Sequence, residues 1–344
     1  MGTLYFDARI IQDYRYRMKG LGYYSSYILD VLRDRLSSRI ELIVDSSLDT
    51  NSNFLSSFRC LEFSSANSMK NGIYFCPSLA THHLFPLTAA LDNDVRVAAV
   101  LHDMIPLRRP VHEVGTIACA RLKKALDRSN EFDLLVANSR ATKAEYVSTY
   151  RGCDEIIVVR PRARFRRTKV GKPQMVSAAC QKEYVLFGVA NHPRKNVQIC
   201  LDVANFFRSI KVDVVAMGGI QTDDLTRLVG NRVSDIVRFL PIVSDDHLHS
   251  LYENSRVVVV PSFDEGFSMH VLEAHTVGRP VIASDIPAHR EQIDDASRLF
   301  DPYSPAALIE AYHAIGNNDA PSMRPIDHEA EEEELLDRLE LLMA

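Results

Sequence analysis

The 344-residue chain has no tryptophan, and none of its apolar runs approaches the ~18 residues that a membrane-crossing helix needs. A helical channel or carrier is therefore not expected, and a soluble, cytoplasmic protein is. The opening Met1-Gly-Thr-Leu-Tyr-Phe-Asp7 has a strand pattern and lacks the basic segment of an export leader, so no signal peptide is expected. Phe6 stands where myristoylation of Gly2 favours Ser or Thr. The six cysteines, at 60, 76, 119, 153, 180 and 200, show no close pairing pattern and fall on expected strands and helices. That spacing argues for reduced thiols rather than a disulfide or zinc framework.

Net charge is only −5, but it is unevenly spread. Residues 1–172 hold 26 Lys+Arg against 18 Asp+Glu, and residues 173–344 hold 14 against 27. Two units with different partners are expected from this asymmetry, and the length suits two α/β domains. The basic half carries Arg15, Arg17 and Lys19, then Arg121, Lys123, Lys124 and Arg128, then a dense run from Arg160 to Lys172. An anionic acceptor, or peripheral attachment to the anionic inner face of a membrane, fits such a surface as well as a merely solvated face does. Nucleic acid is not an expected partner, because no aromatic or groove-reading motif accompanies the charge.

Strand patterns recur at Leu4–Phe6, Ile40–Val44, Ile73–Cys76, Val95–Leu101, Leu134–Ala137 and Ile156–Val159, with helical patterns over Tyr23–Leu36, Thr116–Arg128 and Ala141–Tyr150. A second set follows at Tyr184–Val189, Val212–Met217, Ile236–Leu240, Arg256–Val260, Val281–Ala283 and Arg298–Phe300. The alternation predicts α/β architecture with mostly parallel, doubly wound sheets. Prolines, Gly171 and many charges break the pattern over Pro161–Gln174, where the linker is placed. The domains are accordingly expected at 1–165 and 173–320. Residues 327–344 read as one amphipathic helix with Leu335, Leu336, Leu339 and Leu342 inward.

The richest stretch is Pro261-Ser-Phe-Asp-Glu265-Gly-Phe-Ser-Met-His-Val-Leu-Glu273-Ala. The run Arg256–Pro261 before it is continuously apolar and β-branched, a strand covered on both faces. Gly266 turns the chain, and Phe267 to Val277 is predicted helical until Gly278 stops it. A helix opening at the carboxyl end of a parallel strand is a ready phosphate site, which makes Gly266, Phe267, Ser268 and Met269 candidate substrate contacts. If most of the eight steps from Glu265 to Glu273 are helical, the backbone rises roughly 12 Å between them. Carboxylates sharing one glycosidic bond sit closer, at ~5 to 9.5 Å. Glu265 is therefore expected to take sugar hydroxyls and Glu273 the ribose hydroxyls of one long ligand, a nucleoside diphosphate sugar; solvated helix-surface acids are the alternative.

With Glu265-Gly266-Phe267, Glu273-Ala274, Gly278-Arg-Pro280-Val-Ile-Ala-Ser284, Phe239-Leu-Pro-Ile-Val-Ser244, Leu251-Tyr252 and Phe300-Asp301-Pro302, the chain resembles the retaining glycosyltransferases that carry two Glu eight apart (glycosyl transferases group 1, mannosyltransferase-like). The resemblance implies the GT-B fold, two Rossmann-like domains facing each other across a cleft. The first would take the acceptor and the second the donor, and the C-terminal helix would pack back on the first. It implies transfer of a hexose, mannose-like, from GDP or UDP to a glycan or lipid-linked acceptor in surface polysaccharide synthesis. Other open readings are a nucleotide-sugar epimerase of the same fold and a non-catalytic nucleotide-sugar-binding subunit.

Three further constellations follow. In Gly188-Val-Ala-Asn-His-Pro-Arg194-Lys195-Asn196, a Gly turn ends in two cations beside a helix start, which suits a departing diphosphate. Lys195 matches the family's diphosphate-contacting Lys, while Val189 stands where the family has Arg, a gap that Arg194 would fill. In Lys19-Gly20-Leu-Gly22-Tyr23, expected to follow the first strand and open the first helix, Gly20 and Gly22 would let a backbone or ligand come close. In the family this loop touches donor phosphate and acceptor. At Val100-Leu-His102-Asp103, His102 is implied to lie near the reacting sugar, donating to a hydroxyl or helping align the acceptor, with Asp103 beside it. No cofactor is expected, and no metal: Asp92-Asn-Asp94 reads as a turn, and His270 and His275 are five apart, which does not put both on one helix face.

Overall fold

A computed structural model of the chain describes residues 2–48, 57–150, 152–164, 183–219, 237–315 and 323–344. Cys180, Ile236 and most of the expected linker lie outside the described residues. The chain divides into two compact units, residues 1–162 with 326–344, and residues 163–325.

In the first unit β1 (Thr3–Asp7), β2 (Ile40–Val44), β3 (Arg59–Glu62), β4 (Gly72–Cys76), β5 (Arg96–Leu101), β6 (Leu134–Ala137) and β7 (Ile156–Val158) form one sheet in the order β3-β2-β1-β4-β5-β6-β7. In the second, β8 (Tyr184–Gly188), β9 (Asp213–Met217), β10 (Val237–Phe239), β11 (Val257–Val260), β12 (Val281–Ser284) and β13 (Leu299–Phe300) run in the order β10-β9-β8-β11-β12-β13. All the strand pairs are parallel, as the alternation of patterns predicts. The order reverses between β1 and β4 and again between β8 and β11, and ligands of open α/β sheets bind at the carboxyl ends of the strands at such points.

Alternate side chains of one strand feed two cores. In the first unit Leu4 and Phe6 join Ile28, Leu29 and Leu32 of the helix Gly20–Leu36, while Tyr5 faces Tyr74, Val97 and Leu122 on the other side of the sheet. Leu335, Leu336, Leu339 and Met343 of the helix His328–Met343 complete the first of these clusters. Leu342, expected inward, only flanks it. The same helix is pinned by charge, with Arg160 on Glu331, and with Tyr27 and Arg162 both on Glu332.

Among the described elements with no counterpart in the sequence reading, β3 and the helix Phe85–Asp92 each have a physical reason. β3 is an edge strand with two exposed residues and so presents no apolar run. The helix Phe85–Asp92 is apolar nearly all round, which erases the helical period. Two placements are corrected. Gly20 does not follow β1 directly: the short helices Arg9–Gln12 and Tyr14–Arg17 intervene, and Asp13 breaks the chain between them by capping the second. The helix predicted over Phe267–Val277 spans Met269–Thr276, because Ser268 caps it, accepting from the Val271 amide. Four of the eight steps between the two carboxylates therefore precede the helix, and the 12 Å rise does not apply.

The two glycines singled out in the first unit, Gly20 and Gly22, differ. A Cβ on Gly22 would stand 2.3 Å from Arg17 Cα and 2.5 Å from the Tyr16 oxygen, whereas one on Gly20 would meet nothing within 4 Å. Gly22→Ala is expected to cost at least ~2 kcal/mol in urea unfolding, and Gly20→Ala to be neutral or stabilising by up to ~1 kcal/mol. Equal losses at both positions would refute the packing account of Gly22.

Candidate functional site

The loops that leave β8 and β11, on either side of the second sheet's reversal, are tied to each other. Asn196 adopts the left-handed conformation at φ 51° and turns its side-chain amide to the Pro261 oxygen at 3.1 Å and the Pro302 oxygen at 2.8 Å. The Phe263 amide donates to the Arg194 oxygen at 2.7 Å. His192 caps the turn Pro193–Lys195 by accepting from the Arg194 amide. Both cations are thereby carried over the end of β11.

There they meet Glu265, whose side chain is 7% exposed. Arg194 Nη1 lies 2.7 Å from Oε2 and Ser262 Oγ 2.7 Å from Oε1, and Lys195 Nζ also bonds Oε1. Burial would raise the carboxyl's pKa, yet the Arg194 and Lys195 charges and the Lys195 and Ser262 hydrogen bonds hold it well below the ordinary range. Burial also pushes the Lys195 ammonium down, against the pull of Glu265. Of the roughly four lone-pair sites of a carboxylate, Oε1 spends two and Oε2 one on these partners, which leaves a site at Oε2 for a further donor.

Gly266, Phe267 and Ser268 are buried between Glu265 and the helix. Gln292 holds Ser268 by both backbone groups, its Oε1 accepting from the amide at 3.2 Å and its Nε2 donating to the carbonyl at 3.1 Å. Met269, half-buried, opens the helix. On the next turn Glu273 is fully enclosed: Arg164 donates from Nε to Oε1 at 2.5 Å and from Nη2 to Oε2 at 3.0 Å, and the Tyr252 hydroxyl donates to Oε2 at 2.9 Å. The same hydroxyl lies 2.6 Å from His270 Nδ1. Because a carboxylate can only accept, Tyr252 spends its proton on Glu273, and His270 must carry hydrogen on Nδ1. The His270 ring packs on Gly188, where a Cβ would come within 2.8 Å of it.

In the first unit His102 Nε2 stands 2.8 Å from the Pro77 oxygen, at the end of β4, and its ring meets Tyr24 edge-on. Burial lowers its pKa to about 4, so the ring is neutral and its one N–H is used on that carbonyl. The expectation that His102 donates to a hydroxyl gives way: Nδ1 is left as an acceptor. Asp103 accepts from the Ile105 amide at 3.0 Å. Ser139 caps the helix Arg140–Thr149. Asp94 is a left-handed turn residue at φ 55°.

Thus Arg194, Lys195, Glu265, Gly266, Phe267, Ser268, Met269 and Glu273 gather on the second unit, and Gly20, Gly22, His102 and Asp103 belong to the first. Sequence reasoning missed Arg164, Gln292 and His289. His289 is fully buried and donates from Nδ1 to the Ser284 oxygen at 2.8 Å, with no hydrogen-bond partner at Nε2 among the described residues. None of the three sits in a recognisable pattern; they meet the site only through the order of the strands.

Residues 181–318 match the family described as glycosyl transferases group 1. The O-antigen chain mannosyltransferase B of Escherichia coli is 32% identical over 125 residues, covering 35% of this chain and 33% of that protein. The O-antigen chain mannosyltransferase RfbU of Salmonella typhimurium is 28% identical over 231 residues, covering 64% of this chain and 60% of that protein. The chain thus spans about a third and three fifths of these two relatives. Among solved structures, sucrose-phosphate synthase from Thermosynechococcus elongatus aligns with TM-score 0.66 at 15% identity, covering 100% of this chain and 95% of that one. One described as "Trehalose-6-phosphate from E. coli bound with UDP-2-fluoro glucose" aligns with TM-score 0.61 at 9% identity, covering 99% and 96%.

Burial lowers the His289 pKa to about 4, with Glu265 and the Ser284 carbonyl pulling the other way. The unfolded chain therefore binds the proton first, and the contribution is lost as pH falls from about 6.5 through 4, by up to about 3 kcal/mol. In urea unfolding the wild type should lose stability faster over this window than His289→Gln does. Parallel pH profiles for the two proteins would contradict the buried neutral ring.

Proposed function

We propose that this chain, which belongs to the glycosyl transferases group 1 family and has the GT-B fold, moves a hexosyl group from a nucleoside diphosphate sugar to a glycan or lipid-linked acceptor with retention of configuration. The observation that carries the reading is the ionised, buried Glu265, held by Lys195 and Arg194 at the reversal of the second sheet and just ahead of a helix start. Few ligands need two cations, a helix N-terminus and a hydroxyl-accepting carboxylate side by side; a sugar diphosphate needs all three.

In this reading the second unit binds the donor and the first the acceptor. Glu265 takes a sugar hydroxyl on the remaining site of Oε2, and Glu273 takes the ribose hydroxyls. Lys195, Arg194 and the amides at Met269 and His270 face the diphosphate, with Arg194 standing in for the arginine replaced by Val189. The bond from the sugar C1 to the phosphate oxygen breaks and a bond from C1 to the acceptor oxygen forms on the same face. The acceptor's proton passes to the departing phosphate. The chain contributes orientation and neutralises the charge that develops on the leaving group, so no metal is required. His102 Nδ1 accepts from a hydroxyl and does not donate. The donor is assigned as a mannose-like hexose on GDP or UDP, in surface polysaccharide synthesis, because both relatives above are O-antigen chain mannosyltransferases.

A lipid-linked acceptor also suits the surface of the first unit. Tyr14 and Met18 are 73% and 70% exposed, and Ile117 is 66% exposed. The segments carrying them converge on one loop, since Tyr16 packs on His82 and Arg121 donates to the Thr81 oxygen at 2.5 Å. Arg15, Arg17, Lys19 and Lys124 lie on the same segments, a mixture that suits an anionic bilayer surface. Among the described residues no helix is long and apolar enough to cross a membrane.

A thermal-shift panel of nucleotide sugars should single out one donor, and Lys195→Ala should lower kcat with that donor about 100-fold or more while the protein, although less stable, is still fully folded at the assay temperature. Unchanged turnover would remove Lys195 from the mechanism. Vesicles rich in anionic lipid should co-sediment the protein, and Met18→Glu with Ile117→Glu should abolish this; equal binding to neutral vesicles would refute the charge argument.

A further inference from the structure

We propose that Arg164 is an internal competitor for the nucleotide's ribose, occupying the Glu273 carboxylate until a nucleoside diphosphate displaces it; the inference rests on the ribose role proposed for Glu273. The Glu273 side chain is 0% exposed, and Arg164 covers both of its oxygens. A ribose cannot reach Glu273 while this fork is in place. The guanidinium and the vicinal 2′,3′-diol are chemical equivalents here, since each offers a carboxylate two donors side by side. They compete for the same lone pairs. The Tyr252 hydroxyl, 2.9 Å from Oε2 and fully buried, can hold the carboxylate's orientation through the exchange.

The exchange has a landing place. Arg164 is 21% exposed on its side chain, and its Nη1 already lies 3.5 Å from Oδ1 of Asp245, whose side chain is 62% exposed. A guanidinium leaving Glu273 remains paired, in a better hydrated setting. Glu273 has no such alternative: burial raises its pKa, with Arg164 and Tyr252 working against burial, so once Arg164 departs it must find other donors or take up a proton. The diol supplies those donors.

The test is titration calorimetry of GDP, UDP and their 2′,3′-dideoxy counterparts on the full chain, comparing wild type, Arg164→Met and Glu273→Gln. If the unlatched form is a minor state of ~10% or less, Arg164→Met should tighten the ribonucleotide that binds by about tenfold or more and leave the dideoxy nucleotide unchanged. Weaker binding of both would make Arg164 a ligand contact, and unchanged binding would make it inert; either overturns the proposal. If Glu273→Gln leaves affinity unaltered, or if neither nucleotide binds any of the proteins, the ribose reading itself fails. If Glu273→Gln weakens binding while Arg164→Met does not tighten it, only the competition fails. Should Arg164→Met not fold, Arg164→Lys, which keeps the charge and loses the fork, should show a smaller gain of the same sign. On the wild type, tryptic cleavage after Arg164, identified by mass, should accelerate with ribonucleotide and not with the dideoxy form; equal rates would count against displacement.

Discussion

A single buried carboxylate organises the second unit's chemistry. Glu265 stays ionised because Lys195, Arg194 and Ser262 satisfy it, and it draws the two cations of one loop over the end of the neighbouring strand. Removing the carboxylate would leave two cations repelling each other in a partly buried place; removing the cations would leave a buried charge with only the Ser262 hydroxyl as partner. The loops are also fastened by Asn196 and by the backbone bond from Phe263 to Arg194, so the charges are held where they are rather than drawn together on demand. Preorganised charge of this kind stabilises charge that develops during reaction without rearrangement.

Much of the fold was legible. The strand Val257–Val260 is a short β-branched run, buried on both faces, and such a run is visible without knowing its neighbours. The helix Gly20–Leu36 shows its period because one face is polar; the helix Phe85–Asp92 hides its own because it lacks one. Strand order is another matter. That β8 lies beside β11, across the reversal, is a long-range fact, and no local pattern encodes it. Lys195 and Glu265 are neighbours only because of that order, although each was recognisable alone.

The site was legible to the same depth. The stretch around Glu265 and Glu273 declares itself by a strand, a turn and a helix start, and the structure corrects its geometry by capping the helix at Ser268. Partners in other parts of the chain were not readable. Tyr252 was visible as part of a pattern but not as the hydroxyl that binds Glu273, and Gln292 reads as an ordinary helix-end residue until its amide is seen on both backbone groups of Ser268. His102 illustrates the converse: its place at a strand end was readable, while its tautomer depends on the Pro77 carbonyl, 25 positions earlier.

The terminal helix has a consequence for synthesis. Leu335, Leu336, Leu339 and Met343 complete a core whose other walls are made from residues 4–159, so the first half to leave the ribosome is the last to be sealed. While residues 163–325 emerge and close around their own sheet, the earlier half waits with a greasy face uncovered. Aggregation during translation, rather than loss of any equilibrium contact, is the hazard such a wiring diagram creates.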